Sequence, residues 1–313
     1  MTAAVVKILV SSEADDLVGH DVLNDLRNVE VVPYDPDVEE LTAHQSAAAV
    51  LLPPYRSSHR PIRLLEQLGS LGMVQLLSAG ADEWAADVPS AITLATARGA
   101  HAGPVSEWVL SAVLTQLRQW PTLVRFQDKG VWAHRKFEAD TLAGKRALIV
   151  GAGAIGREVA RRLDVFGAYS TLVASRARDD VFGPDALTEI VSGHSIVVIT
   201  APLTEKTRGL VGSEFLKRMD DNAILVNAGR GQIVDTEALL PELASGRLRA
   251  ALDVTDPEPL PIDHPLWSQK GAVISPHSAR TVPGTNRLCY KVAAQQIAAF
   301  LRGERPPNAV EHG

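Results

Sequence analysis

The sequence has a single cysteine, Cys289, among 313 residues. One cysteine cannot form an internal disulfide, so the chain is not a small scaffold held together by disulfides. A surplus of positive charge is also missing, because the formal net charge is −6 at pH 7. Nucleic acids and anionic membrane surfaces attract basic proteins, so neither is expected as a main partner.

Long apolar runs are missing as well. The first apolar run, over residues 3–10, is interrupted by Lys7 and has no small-residue cleavage site after it. It therefore predicts a first strand rather than a signal peptide. No other stretch approaches the roughly 20 apolar residues that a membrane helix needs. We expect a cytoplasmic protein that does not contact membranes.

Two catalytic signatures are absent. The nine histidines form no H-E-x-x-H pattern and no clustered ligand spacing, so no metal site is predicted. None of the four tyrosines has a lysine four residues later, which excludes the Tyr-x-x-x-Lys pattern of short-chain reductases. The chemistry of this chain must use other residues.

What the sequence does contain is a regular alternation of apolar runs and helical stretches. Its 313 residues suggest two domains, at a prior of roughly 150 residues each. The alternation predicts an α/β protein with two doubly wound parallel sheets, a Rossmann cofactor domain and a flavodoxin-like substrate domain. The predicted strands are residues 5–10, 29–34, 48–52, 73–77, 92–95, 146–150, 172–174, 195–200, 223–227, 250–254 and 272–274.

Two long helical patterns predict how the chain passes between the domains. The pattern over residues 103–120 leads into the second domain, and the one over 285–301 returns to the first. We therefore expect a dinucleotide-binding domain, residues 102–280, inserted into a substrate domain made of residues 1–101 and 281–313. Pro306 and Pro307 predict surface coil from Gly303 onward.

A glycine-rich loop follows the first strand of the second domain. Gly151, Gly153 and Gly156 form G-x-G-x-x-G between an apolar strand and an amphipathic helix. Such glycines permit a tight turn and a close approach to a pyrophosphate, which the N–H groups of the helix N-terminus then bind. The loop predicts a dinucleotide site, with Ala154 and Ile155 among its contacts.

The residues after the next strand bear on which dinucleotide binds. An Asp or Glu about twenty residues beyond the glycines would accept hydrogen bonds from the ribose 2′-hydroxyl of NADH. Here Ser175, Arg176 and Arg178 occupy that region, and no acid does. This arrangement suits a 2′-phosphate and predicts that NADPH is preferred. The alternative is that both arginines are solvated loop residues and NADH works as well.

Three later segments, 225–231, 253–259 and 275–279, place charged residues where strands are predicted to end. Open α/β sheets bind their ligands at this edge. These segments, their order and the preceding glycine loop resemble the D-isomer-specific 2-hydroxyacid dehydrogenase family, over nearly the whole chain. Within it they are similar to the NADP-preferring branch of glyoxylate and hydroxypyruvate reductases.

The resemblance implies a catalytic role for three residues. Arg230 would bind the substrate's carboxylate and 2-oxo group through its planar fork of donors. His277 would give a proton to the carbonyl oxygen while the carbon is reduced. Glu258 would keep that histidine protonated, so reduction is expected to persist to mildly alkaline pH.

The resemblance also implies binding roles, and several fall outside these three residues. Asp253 would bond the nicotinamide amide, and Arg230 and His277 are expected to contact both cofactor and substrate. The further cofactor contacts expected are Pro202, Thr207 and Ala228, and the further substrate contacts expected are Tyr55, Arg56, Ala79 and Gly80. Trp132 lies in a region that forms a dimer contact in relatives, so a homodimer is expected.

The implied activity is the reduction of a 2-oxo acid to a D-2-hydroxy acid by NAD(P)H. Two other functions stay open at this point. One is a dinucleotide-sensing binding protein of the same fold, which would act through partners rather than turnover. The other is a dehydrogenase of a different small anion such as phosphite, for which Arg56 would be the second anion-binding group.

Overall fold

The computed structural model describes residues 5–55 and 60–312. Within these residues, the chain folds into two compact units. The first unit takes the described residues up to His101 and those from Val282 onward, and the second is Ala102–Thr281. In chain order the second unit is therefore an insertion into the first.

The two units together contain thirteen strands and nine α-helices within the described residues. The strands are β1 (Val6–Ser11), β2 (Val29–Tyr34), β3 (Val50–Leu52), β4 (Met73–Gln75), β5 (Thr93–Ala95), β6 (Arg146–Val150), β7 (Tyr169–Val173), β8 (Val181–Phe182), β9 (Ile196–Ile199), β10 (Ile224–Asn227), β11 (Arg249–Leu252), β12 (Ala272–Ile274) and β13 (Ala309–Val310). The helices are α1 (Leu17–Asn24), α2 (Ala43–Ser46), α3 (Ala102–Leu117), α4 (Trp120–Asp128), α5 (Ala154–Val165), α6 (Leu187–Ile190), α7 (Ser213–Arg218), α8 (Thr236–Ala244) and α9 (Thr285–Leu301).

The first unit is built on a six-stranded sheet in the order β13-β5-β4-β3-β1-β2. Strands β1 to β5 are parallel, and their order 2-1-3-4-5 is that of a flavodoxin-like domain. Apolar side chains cover both faces of this sheet, because the helices of a doubly wound fold pack on either side. The predicted fold of this unit is confirmed.

The second unit is built on a seven-stranded parallel sheet in the order β12-β11-β10-β9-β6-β7-β8. The glycine loop follows β6 at the centre, and the strand order turns from one side to the other between β6 and β9. This is the doubly wound Rossmann arrangement, which binds dinucleotides at that switch point. Alternate residues of β9 enter the cores on the two faces, Val197 and Ile199 on one and Ile196 and Val198 on the other.

The structure corrects the prediction that the tail from Gly303 is coil. Ala309 and Val310 form β13, which pairs antiparallel with Ala95 and Leu94 of β5. The Gln296 side chain of α9 accepts a hydrogen bond from the Asn308 N–H at 2.7 Å and so holds the tail beside the sheet. A two-residue strand is too short to show an alternating pattern. Strand β8, which also has two residues, was not predicted for the same reason.

Several element boundaries also differ from the prediction, and in two elements the difference reaches three residues. The helix expected over residues 103–120 ends at Leu117, because Gln119 adopts a left-handed conformation with φ of +51°. Pro121 then occupies the first turn of α4, a position where its missing N–H costs no hydrogen bond. Strand β7 begins at Tyr169 rather than 172, since its first three residues are partly exposed and break the apolar run.

No helix among the described residues is long and apolar enough to span a bilayer.

Candidate active site

Arg230 lies in the loop after β10, at the carboxyl end of the second unit's sheet. The side chain of Asn227, the last residue of β10, shapes this loop. Its Oδ1 accepts from the Gly229 N–H at 3.1 Å, and its Nδ2 donates to the Arg230 carbonyl at 3.0 Å. The half-buried Arg230 guanidinium donates to the Gly229 carbonyl at 3.0 Å. The loop thus fixes the backbone from which the guanidinium extends.

Asp253, directly after β11, is only 4% exposed and organises the neighbouring loop. Its Oδ1 accepts from the Ser275 hydroxyl at 2.6 Å, the Ser278 N–H at 2.8 Å and the Ala279 N–H at 3.0 Å. Its Oδ2 accepts from the Ala279 N–H at 3.1 Å. One buried carboxylate therefore holds the segment on both sides of His277, a role that sequence reasoning missed.

His277 has an unusual backbone for a residue that is not glycine. Its φ of +50° lies in the left-handed region, which costs such residues about 1 to 3 kcal/mol. The His277 N–H donates to the Asp253 carbonyl at 2.7 Å and to the Ser275 carbonyl at 3.0 Å. Asp253 thus fixes His277 through its backbone as well as through the flanking residues.

The His277 ring pairs with Glu258, as the resemblance implies. Nδ1 of His277 lies 2.6 Å from Oε1 of Glu258, and the two side chains are 39% and 38% exposed. This hydrogen bond lowers the pKa of the Glu258 carboxyl, and partial burial opposes the effect. The charges of His277 and Arg230 lower that pKa further. Because Nδ1 faces Glu258, Nε2 is the ring nitrogen left to exchange a proton with another molecule.

The loops that carry Arg230 and Glu258 touch each other. A Cβ added to Gly231 would lie 1.9 Å from the Thr255 carbonyl oxygen, so only glycine fits there. Thr255 in turn donates from its hydroxyl to the Pro257 carbonyl at 2.9 Å, which orders the turn before Glu258. Close packing at Gly231 brings the arginine loop within electrostatic range of the carboxylate. The structure therefore gathers all three predicted catalytic residues.

The glycine loop after β6 has the shape that a dinucleotide requires. Gly151 has φ of +120°, and a Cβ on Gly156 would lie 1.8 Å from the Gly151 carbonyl oxygen. A Cβ on Gly153 would meet no atom within 4 Å, so this backbone faces open space. Helix α5 begins at Ala154, and the N–H groups of Ala154 and Ile155 donate to no group among the described residues. These donors fit a pyrophosphate.

The loop after β7 presents the basic residues singled out in the sequence. Ser175, Arg176 and Arg178 are all exposed. Arg178 Nη2 donates to the carbonyl of Ala152, inside the glycine loop, at 3.1 Å. Asp179 and Asp180 follow, and Asp180 pairs with Arg157 at 2.9 Å. The guanidinium of Arg178 therefore lies at the edge of the glycine loop, and the carboxylate of Asp180 already has a partner.

The remaining predicted cofactor residues also follow strands of the second unit. The Thr207 hydroxyl donates to the Pro202 carbonyl at 2.7 Å and accepts from the Thr204 N–H at 2.8 Å, closing the turn after β9. Ala228 follows β10, where its N–H donates to the Ile199 carbonyl at 3.0 Å. Thr207 therefore shapes its loop, and its hydroxyl proton is already used.

The predicted substrate residues of the first unit lie after β3 and β4. Tyr55 is buried, and Arg56 lies outside the described residues. Ala79 and Gly80 are half-buried, and their N–H groups donate to no group among the described residues. The Ser78 hydroxyl donates to the Gly80 carbonyl at 2.6 Å and fixes this turn. Two backbone donors are thus available for an anion.

Metal ligands are not clustered in the part of the chain that the structure describes, where no three His, Cys, Asp or Glu side chains converge.

A family model decides the identity of this fold and site. Residues 110–279 match the model described as D-isomer specific 2-hydroxyacid dehydrogenase, NAD binding domain. The chain belongs to the D-isomer-specific 2-hydroxyacid dehydrogenase family. Members are NAD(P)-dependent oxidoreductases, and this chain is accordingly an enzyme that binds a nicotinamide dinucleotide and acts on 2-oxo or 2-hydroxy acids.

Known members of the family are similar over most of the chain. The human glyoxylate reductase/hydroxypyruvate reductase is 31% identical over 277 residues, which is 82% of this chain and 82% of that protein. The solved structure of a family protein from Aeromonas salmonicida has a TM-score of 0.81 at 25% identity, covering 97% of this chain and 98% of that one. A family member from Xanthobacter autotrophicus, solved with NADPH and MES, has a TM-score of 0.80 at 26% identity, covering 98% of each chain.

Proposed function

We propose that this family member reduces a small 2-oxo acid to a D-2-hydroxy acid, with NADPH as its preferred cofactor. The observation that supports the proposal most directly is the 2.6 Å contact between His277 Nδ1 and Glu258 Oε1, beside the loop of Arg230. An imidazole, a carboxylate hydrogen-bonded to it and a guanidinium are the groups that reduction of a 2-oxo acid requires. The human relative is named for glyoxylate and hydroxypyruvate, which suggests this size of substrate.

In the proposed reaction each residue has a separate task. The chemistry that NADPH supplies when bound is a hydride equivalent for the 2-oxo carbon. Arg230 binds the substrate carboxylate and polarises the 2-oxo oxygen, while His277 delivers a proton from Nε2 to that oxygen. Glu258 stabilises the charged ring through Nδ1. The proton and the reducing equivalent together convert the carbonyl into a hydroxyl group.

Binding is assigned to two stretches of chain. We assign the dinucleotide to residues 102–280, whose glycine loop offers free N–H groups and whose Asp253 we assign to the nicotinamide amide. Residues 1–101 with 281–313 are assigned to the substrate, with the N–H groups of Ala79 and Gly80 as donors to its carboxylate. Tyr55 and Arg56 are the side chains assigned to the remainder of the substrate.

The function is tested by following NADPH absorbance with a panel of acids. We expect turnover with glyoxylate or hydroxypyruvate and slower turnover with branched 2-oxo acids. Formation of NADPH from NADP+ and phosphite, without turnover of any 2-oxo acid, would favour the dehydrogenase of another anion. Tight NADPH binding without turnover of any acid would favour the dinucleotide-sensing protein.

The preference for NADPH is supported by Arg178, whose guanidinium lies against the glycine loop, and by the exposed Arg176. The Xanthobacter relative was also solved with NADPH. Each charged hydrogen bond from arginine to a 2′-phosphate contributes roughly 1.5 to 3 kcal/mol, on the order of tenfold to a hundredfold in affinity. NADH lacks that phosphate and gains nothing from either arginine.

Replacing Arg176 and Arg178 together by serine should therefore raise the KM for NADPH by roughly tenfold or more and leave the KM for NADH unchanged. Steady-state kinetics with both cofactors measures this. Arg218→Ser is the matched control, because Arg218 is an exposed arginine at the end of α7, away from the glycine loop. Equal losses with both cofactors would contradict the preference.

We also propose a cytoplasmic homodimer that uses α4 as a contact. No residue of α4 is buried, although Trp120 and Val124 are one turn apart and 55% and 47% exposed. Trp132, just beyond the helix, is 88% exposed. Two exposed tryptophans within thirteen residues of sequence are typical of a surface that another chain covers.

A further inference from the structure

Asp16 is a fully buried carboxylate that the proposed reaction does not use. It follows β1, at the carboxyl end of the first unit's sheet, and occupies the N-cap position of α1. An aspartate there ordinarily accepts a hydrogen bond from its own helix, yet the Asp16 side chain makes no such bond. Its carboxylate is committed to other partners.

Those partners come from two distant parts of the chain. Oδ1 of Asp16 accepts from the Tyr290 hydroxyl at 2.8 Å, and both carboxylate oxygens face the Tyr55 N–H, at 3.1 and 3.3 Å. Burial raises the pKa of the Asp16 carboxyl, while hydrogen bonds from Tyr290, Ser11 and the Tyr55 backbone lower it. A buried carboxylate destabilises a fold unless its hydrogen-bond donors stay in place. The Asp16 carboxylate, the Tyr290 hydroxyl and the Tyr55 N–H therefore fix one another's positions.

Tyr290 reaches Asp16 because α1 makes room for its ring. A Cβ on Gly19 would lie 2.2 Å from the ring of Tyr290, so α1 has a notch at this point. The start of α9 is tied to the same segment a second time, since Asn286 Nδ2 donates to the Asp15 carbonyl at 2.8 Å. Tyr290 itself is fully buried. The position of the Asp16 carboxylate is thus set by two helices.

The other partner, Tyr55, lies in the loop after β3. Tyr55 is at the same edge of the sheet as Asp16, and it is one of the proposed substrate contacts. Tyr55 is bound to Asp16 through its backbone N–H, so the contact fixes the course of the chain whatever the side chain does.

We propose that Asp16 is a positioning residue that holds the substrate-binding loop after β3, with Tyr290 fixing its carboxylate. The proposal rests on the proposed function, because only a substrate bound by this loop makes its position matter to the reaction. Asp16 touches neither cofactor nor substrate in this account. It acts through the backbone of Tyr55.

Tyr290→Phe is the sharpest variant, because it removes one hydroxyl and keeps the ring that fills the notch at Gly19. We expect the KM for glyoxylate to rise roughly tenfold, the effect of weakening one hydrogen bond to a buried charged group. The kcat at saturating glyoxylate and the Kd for NADPH should stay within about twofold of wild type. Asp16→Asn should raise the same KM.

Gln296→Met serves as the control on the same helix. Gln296 is 3% exposed and its side chain accepts from the Asn308 N–H at 2.7 Å, so its loss also removes a buried hydrogen bond. A purely structural role for Tyr290 predicts that both variants lower the melting temperature and leave KM alone. That result would overturn the proposal, whereas a KM change confined to Tyr290→Phe and Asp16→Asn would support it.

Hydrogen exchange followed by mass spectrometry supplies a readout that needs no turnover. Peptides that contain the Tyr55 amide should exchange faster in Tyr290→Phe than in wild type, while peptides from β10 should not change. If wild type reduces no 2-oxo acid, the proposed function fails, and faster exchange would still show that Asp16 holds the loop. Unchanged exchange at Tyr55 with normal wild-type turnover would overturn the positioning role alone.

Discussion

Glu258 is the residue of the site on which pH acts most clearly. Its pKa is lowered by the hydrogen bond to His277, so the carboxylate stays charged to more acidic pH in the folded chain than in the unfolded one. A carboxyl group of this kind contributes stability that is fully present above its ordinary pKa of about 4.3. That contribution is lost as pH falls through the lowered value in the folded protein.

Glu258→Gln should therefore reduce the free energy of unfolding near pH 6 and have a smaller effect below about pH 4, where wild type loses the same contribution. Urea unfolding of both proteins at the two pH values measures this.

Glu214→Gln is the control for this comparison. Glu214 also has a lowered pKa, from its pair with Lys217, but the pair is on the surface and solvent screens it. Its replacement should change stability little at either pH. A loss in Glu258→Gln that is the same near pH 6 and well below pH 4 would contradict the account of the pair.

Single residues also show how far the sequence could predict this site. The convergence of Arg230, Glu258 and His277 could be predicted, because each follows a strand of the same sheet and lies in a segment that resembles the family. The work of Asp253 was not, since its four hydrogen bonds join residues 22 to 26 positions apart through a turn that only folding creates. The left-handed φ of His277 could not be predicted from the sequence either, because histidine, unlike glycine, does not favour this backbone conformation.

At the scale of elements, the site depends on two loops in direct contact. The loop after β10 packs on the loop after β11 at Gly231, where the Thr255 carbonyl leaves no room for a side chain. Parallel strands that are neighbours in the sheet end at the same edge, which brings the two loops together. The contact then sets how near Arg230 lies to Glu258.

Gly231→Ala should displace one of these loops and reduce kcat/KM for the 2-oxo acid at least tenfold, with a loss of about 1 to 3 kcal/mol of stability from overpacking. Steady-state kinetics and urea unfolding measure the two effects. Gly103→Ala is the matched control, because a Cβ on Gly103 in α3 meets no atom within 4 Å. Wild-type kinetics in Gly231→Ala would show that the contact is unimportant.

Elements with strong apolar patterns were predictable, and short or polar ones were not. Residues 29–34, 146–150 and 272–274 were predicted with the bounds that β2, β6 and β12 have. Strands β8 and β13 have two residues each, and their existence depends on a neighbouring edge rather than on their own composition. The break between α3 and α4 depends on the left-handed backbone of Gln119, and glutamine gives no sequence signal for that conformation.

At the scale of the whole molecule, the property to be predicted is whether two copies of the chain assemble. The sheet topologies followed from the alternation of strands and helices, because short right-handed crossovers leave few arrangements. Assembly does not follow in the same way, since it depends on which surfaces another chain covers. Helix α4, which buries none of its residues, is the surface that we propose for a second copy.

Light scattering should give twice the 33.5 kDa of one chain for wild type. Val124→Lys places a charge on the apolar face of α4 and should reduce the mass to that of a single chain. Val165→Lys is the control, because Val165 is 75% exposed at the end of α5 and should leave the mass unchanged. A single-chain mass for wild type would contradict the homodimer.

The central claim, that His277 delivers the proton in NADPH-dependent reduction of a 2-oxo acid, is tested most directly by comparing turnover in wild type and His277→Asn. NADPH consumption is followed with glyoxylate and hydroxypyruvate, and NADPH binding is measured separately to ensure that both proteins are loaded. The account predicts turnover by wild type and a loss of roughly 10² to 10⁴-fold in kcat for the variant. Turnover by loaded His277→Asn at the wild-type rate would contradict it.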